Sequence, residues 1–144
     1  MRSFKKKMVA LLCAAAVSIS LAMVCYASGE TGHKSTATIT SSQAGKSGNI
    51  VSMQGTIKIY GYNKSTSTNT LYITVCLSQN SSNTSWNEVK SYALSPGTAI
   101  LSSDPKKLTN QPLGNYKVLL DPFGPNCTGC NGSGTILNQA WEKV

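Results

Sequence analysis

Residues 71–78 read LYITVCLS, and the alternation in that stretch decides the fold class. Leu71, Ile73, Val75 and Leu77 fall on one side of an extended chain, with Tyr72, Thr74, Cys76 and Ser78 on the other. Side chains of a strand point to opposite faces in turn, so a period of two rich in β-branched and aromatic residues marks a half-buried strand. A helix would instead repeat its apolar positions every three to four residues, and no segment of helical length does so without interruption.

The same period recurs on both sides of this stretch. Upstream, GTIKIYGY (55–62) alternates Ile57 and Ile59 with Lys58, Tyr60 and Tyr62, and TATIT (36–40) sets Ile39 among threonines. Downstream, WNEVKSYALSPGTAI (86–100) reads as a strand, a turn at Ser95-Pro96-Gly97 and a strand back. In YKVLL (116–120), Tyr116, Val118 and Leu120 share a face, and GTILNQ (134–139) supplies a final strand. The spacers NKSTSTNT (63–70) and SQNSSNTS (78–85) consist of residues whose side chains bond their own backbone and favour turns. About seven short strands follow, which predicts an all-β fold: an antiparallel β-sandwich of immunoglobulin-like type, with a small β-barrel as the alternative. The run Gly114-Asn115-Tyr116-Lys117-Val118 resembles the tyrosine corner of antiparallel sandwiches, in which a tyrosine hydroxyl ties down the preceding connection. The likeness is one of architecture, not of family.

The chain begins with Arg2 to Lys7, continues with an apolar run from Met8 to about Val24, and offers Ala27 as a small residue before Ser28. This layout predicts a secretory signal peptide over 1–27, a tether over 28–34 and a single β-sandwich domain over 35–144. A retained anchor and acylation at Cys25 are the competing readings, and Val24 before Cys25 disfavours the second. Cleavage at Ala27 makes the protein secreted, without stable membrane insertion. Arg2, Lys5, Lys6 and Lys7 would leave with the signal, so the formal charge would fall from +8 to +4. No arginine would remain, only dispersed lysines from Lys34 to Lys143. Nucleic-acid recognition leans on the guanidinium fork and on clustered charge, so a nucleic-acid partner is not expected.

Catalytic chemistry finds few groups to work with. The single histidine, His33, falls in the expected tether, so a Ser-His-Asp or Cys-His site would need that tether to fold back. The remaining acids are Glu30, Glu88, Asp104, Asp121 and Glu142, and the two aspartates each precede a proline, which reads as a turn. AGKSG (44–48) lacks the upstream glycine of a phosphate loop, with Thr40 in its place. Non-enzymatic function without a cofactor or metal is the expectation. Ligand binding is expected from residues that alternate outward: Lys58, Tyr60 and Tyr62 on one strand and Tyr72 on the next. Tyrosine combines an apolar ring with a polar tip, which suits a sugar or a protein surface. Trp86 and Trp141 are read as packing residues.

Three cysteines lie beyond the signal. Cys127-Thr128-Gly129-Cys130 could be a redox pair, but such pairs sit at helix N-termini and this one leads into Asn131-Gly132-Ser133-Gly134, a turn entering a strand. Zinc would need His33 beside all three cysteines. A disulfide is therefore expected, Cys127 with Cys130, or alternatively Cys76 with either of them. The first choice leaves Cys76 available to a second copy of the chain, a possible dimer. The functional expectation is an extracellular or cell-surface interaction module for a glycan, cell-wall or protein ligand. The alternative is a secreted toxin or bacteriocin-like effector, with an extracellular thiol oxidoreductase third.

Overall fold

The computed structural model describes residues 33–123 and 127–138. The expected signal peptide and most of the tether, together with Glu30, Trp141 and Glu142, lie outside the described residues. His33 and Lys34, assigned to the tether by sequence, are the first two residues of a strand.

Eight strands follow in order: β1 (His33–Ile39), β2 (Lys46–Ser47), β3 (Val51–Asn63), β4 (Leu71–Ser78), β5 (Asn87–Leu94), β6 (Thr98–Ile100), β7 (Lys106–Pro122) and β8 (Gly132–Asn138). No helix occurs among the described residues. All pairings are antiparallel, and β1 pairs β8, β2 pairs β7, β3 pairs β6 and β4 pairs β5. The chain is thus laid down as one long hairpin and rolled up. Rolling brings β8 against β3 and β7 against β4, giving the layers β1-β8-β3-β6 and β2-β7-β4-β5. That is jelly-roll wiring within the expected sandwich. The sheet is not closed into a barrel: β1 and β5 are its two ends.

The layers are not separate sheets, because β3 and β7 pair with each other as well and run from one layer into the other. Both bend at the same level. In β3 the register shifts on either side of Gly55, whose φ of 92° is open to glycine at little cost. The Asn138 side-chain amide donates to Gln54 O and Thr56 O at 2.8 Å each, fixing the bulge. In β7 the hydroxyl of fully buried Tyr116 donates to Pro112 O at 2.7 Å. The expected tyrosine contact therefore forms, but it spans a bend within one strand and not a loop between two.

Inward residues follow the period read from sequence: Met53, Ile57 and Ile59 of β3, Leu71, Ile73 and Val75 of β4, and Tyr116, Val118 and Leu120 of β7 are all buried. At the centre, Ala37, Gly134 and Gly61 lie opposite one another across β1, β8 and β3. Into this shallow hollow project Ile73 and Leu120 from the other layer. A Cβ built on Gly134 would stand 2.7 Å from Leu120 Cδ2 and 3.1 Å from Ile73 Cγ2. The glycines let the layers approach.

Candidate binding face

The outer face of β5-β4-β7 carries the most complete set of ligand-type groups. Alternation along β4 turns Tyr72, Thr74 and Cys76 away from the core, and register sets Asp121 beside Tyr72, Ser91 beside Thr74, and Lys117 and Glu88 on the two sides of Cys76. A shallow concavity of about 360 Å³ lies here, lined by Tyr72, Thr74, Glu88, Ser91, Asp121 and Phe123. At its base the Thr74 and Ser91 hydroxyls share a 2.8 Å hydrogen bond. On one side Tyr72 and Phe123 stack with ring centroids 6.1 Å apart and planes inclined by 28°. Phe123 keeps 58% of its surface exposed, so this aromatic wall is open to solvent.

The carboxylates flank the base from two strands. Partial burial pushes the Asp121 carboxyl above its ordinary value. Further along, Lys117 Nζ lies 4.3 Å from the centroid of the Trp86 ring, a cation–π contact. Trp86 Nε1 donates to Asn83 O at 2.9 Å, and Asn115 Nδ2 donates to Asn83 Oδ1 at the same distance, so this end is held in place.

The four residues expected to bind a ligand divide between two surfaces. Tyr72 belongs to this face, whereas Lys58, Tyr60 and Tyr62 point outward from β3 on the opposite layer. The sequence does not single out Phe123 or Ser91, and it reads Asp121 as a turn residue. Asp104 does sit in a turn, its N–H donating to Leu101 O, but Asp121 and Pro122 are the last two residues of β7. The proline is accommodated because it ends the strand.

The cysteines are arranged otherwise than expected. Cys76, Cys127 and Cys130 are all free thiols. Cys76 lies five residues along β4 from Leu71, roughly 17 Å from the strand end against which Cys130 packs, so these two cannot approach bridging distance. It is also only 6% exposed, which works against a bridge to a second copy. Burial raises its thiol, Lys117 opposes that shift and Glu88 adds to it. Cys130 is fully buried, with Sγ donating to Asn69 O at 3.1 Å, and burial raises its thiol too. A redox nucleophile needs the reverse shift.

The loop 127–131 is nevertheless clamped, by hydrogen bonds to its main chain. Gly129, at φ 94°, donates its N–H to Ser41 O and accepts from Thr68 N, both at 2.8 Å. Lys64 N donates to Asn131 O, and Asn69 Nδ2 to Thr128 O at 2.6 Å. His33 pairs with Asn138 at the far end of β1, well away from this loop. Among the described residues no three His, Cys, Asp or Glu side chains gather as a metal site would require.

No family model and no curated protein matches the chain. Two solved structures similar to it are a crystal structure of PirA, at 16% identity and TM-score 0.46 over 75% of this chain and 94% of that one, and the Yersinia pseudotuberculosis-derived mitogen, at 13% identity and TM-score 0.39 over 77% and 88%. Likenesses this distant assign no family and carry no functional argument.

Proposed function

We propose that the protein is an exported, non-catalytic β-sandwich that binds carbohydrate on the outer face of β5-β4-β7. The observation that carries this reading is the open Tyr72–Phe123 wall standing beside Asp121 over the paired hydroxyls of Thr74 and Ser91. An aromatic ring offers an apolar surface to the C–H face of a sugar. A carboxylate accepts hydrogen bonds from sugar hydroxyls through two oxygens, and threonine and serine can give or accept one. The concavity is shallow, which suits a segment of a polymer or a terminal sugar better than an engulfed small molecule.

The test is a glycan array followed by calorimetric titration of the best neutral oligosaccharide. Tyr72→Ala and Asp121→Asn should each weaken binding by about tenfold or more, the loss of one good contact of roughly 1.4 kcal/mol. Absence of binding to every neutral glycan, or indifference of binding to both substitutions, would overturn the reading. The alternative of a secreted effector predicts growth inhibition of neighbouring cells by the purified protein, and the binding module predicts none.

A further inference from the structure

The charges around the sugar face run against the composition of the chain. Lysine and arginine number 13 against 5 acids, yet the charged residues lining the concavity are both acids, Glu88 and Asp121, and no lysine lines it. Register keeps the nearby cations aside. Lys90 stands opposite the inward Val75 and so leaves from the other side of β5, with Nζ 6.0 Å from the centroid of the Tyr92 ring. Lys117, in the row of Cys76 and Glu88, is drawn over the Trp86 ring. Among the described residues neither carboxylate is joined to a lysine by an ion pair.

The two acids stand at diagonal corners, Glu88 beside Cys76 from β5 and Asp121 beside Tyr72 from β7. Strand rise and strand spacing together put their α-carbons roughly 16 Å apart. That span is too wide for one metal ion, whereas two cationic groups on different units of an oligomer can meet one acid each. Next to Asp121 the Tyr72–Phe123 wall presents ring faces, which attract a cation as well as the C–H face of a sugar. The partial burial that raises the Asp121 carboxyl leaves its charge short of water, and a cation beside it would offset that deficit.

We infer that the glycan preferred by the outer face of β5-β4-β7 is an oligomer of amino sugars with free, protonated amines, one amine meeting Asp121 beside the aromatic wall and another meeting Glu88. The inference rests on the carbohydrate reading above and adds to it the charge and the minimum length of the ligand. Thr74 and Ser91, between the two corners, then face the hydroxyls of the sugar that links them. Lysines elsewhere on the molecule repel such a ligand only at long range, and at physiological salt their field is screened within about 8 Å. Selectivity therefore comes from the two acids in contact, not from the net charge.

The probes are the glucosamine tetramer and its fully N-acetylated counterpart, titrated calorimetrically near pH 6, where the amines are protonated. Expected are binding of the amine form about tenfold tighter or more, weaker binding of glucosamine itself, and loss of most of the preference in Glu88→Gln/Asp121→Asn. Asp104→Asn, which removes a carboxylate from the turn before β7, should keep the preference. Reading the ratio of the two affinities separates loss of charge recognition from any general loss of folded protein. Equal affinity for the two tetramers, or a preference that survives the double substitution, would overturn the inference and leave the carbohydrate reading standing. Tighter binding of a lysine tetrapeptide than of the glucosamine tetramer would overturn it too, since the face would then recognise amines without the sugar. Failure to bind either tetramer and every neutral glycan would bring down both readings.

Discussion

Cys130 donates its thiol proton to Asn69 O from a fully buried position, while Cys127, three residues earlier, is partly open to solvent. The sequence presents them as a matched pair, and the fold gives them unequal chemistry. A raised thiol pKa keeps the neutral form at ordinary pH, and burial keeps reagents out. Native protein treated with a thiol reagent near pH 8 should therefore label at Cys127 first, with Cys76 and Cys130 following only on unfolding, as mass spectrometry of digests would show. The linkage has a definite sign. Because the folded-state values of Cys76 and Cys130 lie above the unfolded one, the stability they contribute is fully present below the unfolded thiol pKa and is lost as pH rises through the folded values. Denaturant midpoints should fall on the alkaline side, and less steeply in Cys76→Ala. Equal labelling of all three thiols in the native state would contradict this. Spacing alone could not reveal the inequality, since a Cys-x-x-Cys run says nothing about which thiol is covered.

At the scale of strands, the period-two alternation picks out the core-facing Ile57, Ile59, Leu71, Ile73, Val75, Tyr116, Val118 and Leu120, because alternation depends only on local backbone geometry, but it does not reveal that Thr74, Cys76 and Ser78 on the other side of β4 are buried as well. Glycine was harder to read. Gly132 and Gly134 look like turn punctuation, yet both lie within β8, and Gly61 lies within β3. Their use is close approach: the opposite layer presses Leu71, Ile73 and Leu120 against their α-carbons. That requirement comes from a partner strand distant in sequence, so nothing local announces it. The atoms nearest a Cβ on Gly134 belong to the side chains of Leu120 and Ile73, and Gly134→Ala should cost about 1–3 kcal/mol. Gly61→Ala would also meet the Ser133 carbonyl, which belongs to backbone and cannot rotate aside, so its cost should be larger. Leu120→Val should be less harmful in the Gly134→Ala background than alone, because the removed methylene makes room for the new Cβ. Chemical denaturation of the four variants measures the coupling, and strict additivity would show that the layers do not meet as described.

The molecule as a whole is closed by its two most distant described strands. Thr36 and Thr135, hydrogen-bonded at 3.0 Å, are 99 positions apart, and β1 pairs β8 along its full length. Pairing order was the part of the fold least legible in the sequence: alternation says that a segment is a strand and which face is apolar, but it is blind to which strand lies alongside. The division of Tyr72 from Tyr60 and Tyr62 was hidden for the same reason, because β3 and β4, consecutive in sequence, enter different layers. The wiring has a kinetic consequence. Closure of β1 on β8, of β2 on β7 and of β3 on β6 all require distant segments to meet before their contacts repay the loop entropy, so folding should be slow for the domain's size, in milliseconds to seconds. Native contacts of β1 would then form late. Core substitutions there, such as Ile39→Val, should mainly accelerate unfolding and leave the folding rate nearly unchanged, whereas Ile73→Val at the centre of β4, which neighbours β5 in sequence as well as in space, should slow folding. Stopped-flow refolding and unfolding followed by tryptophan fluorescence distinguishes the two. Equal slowing of folding by both substitutions would mean that the β1–β8 closure is already made in the transition state.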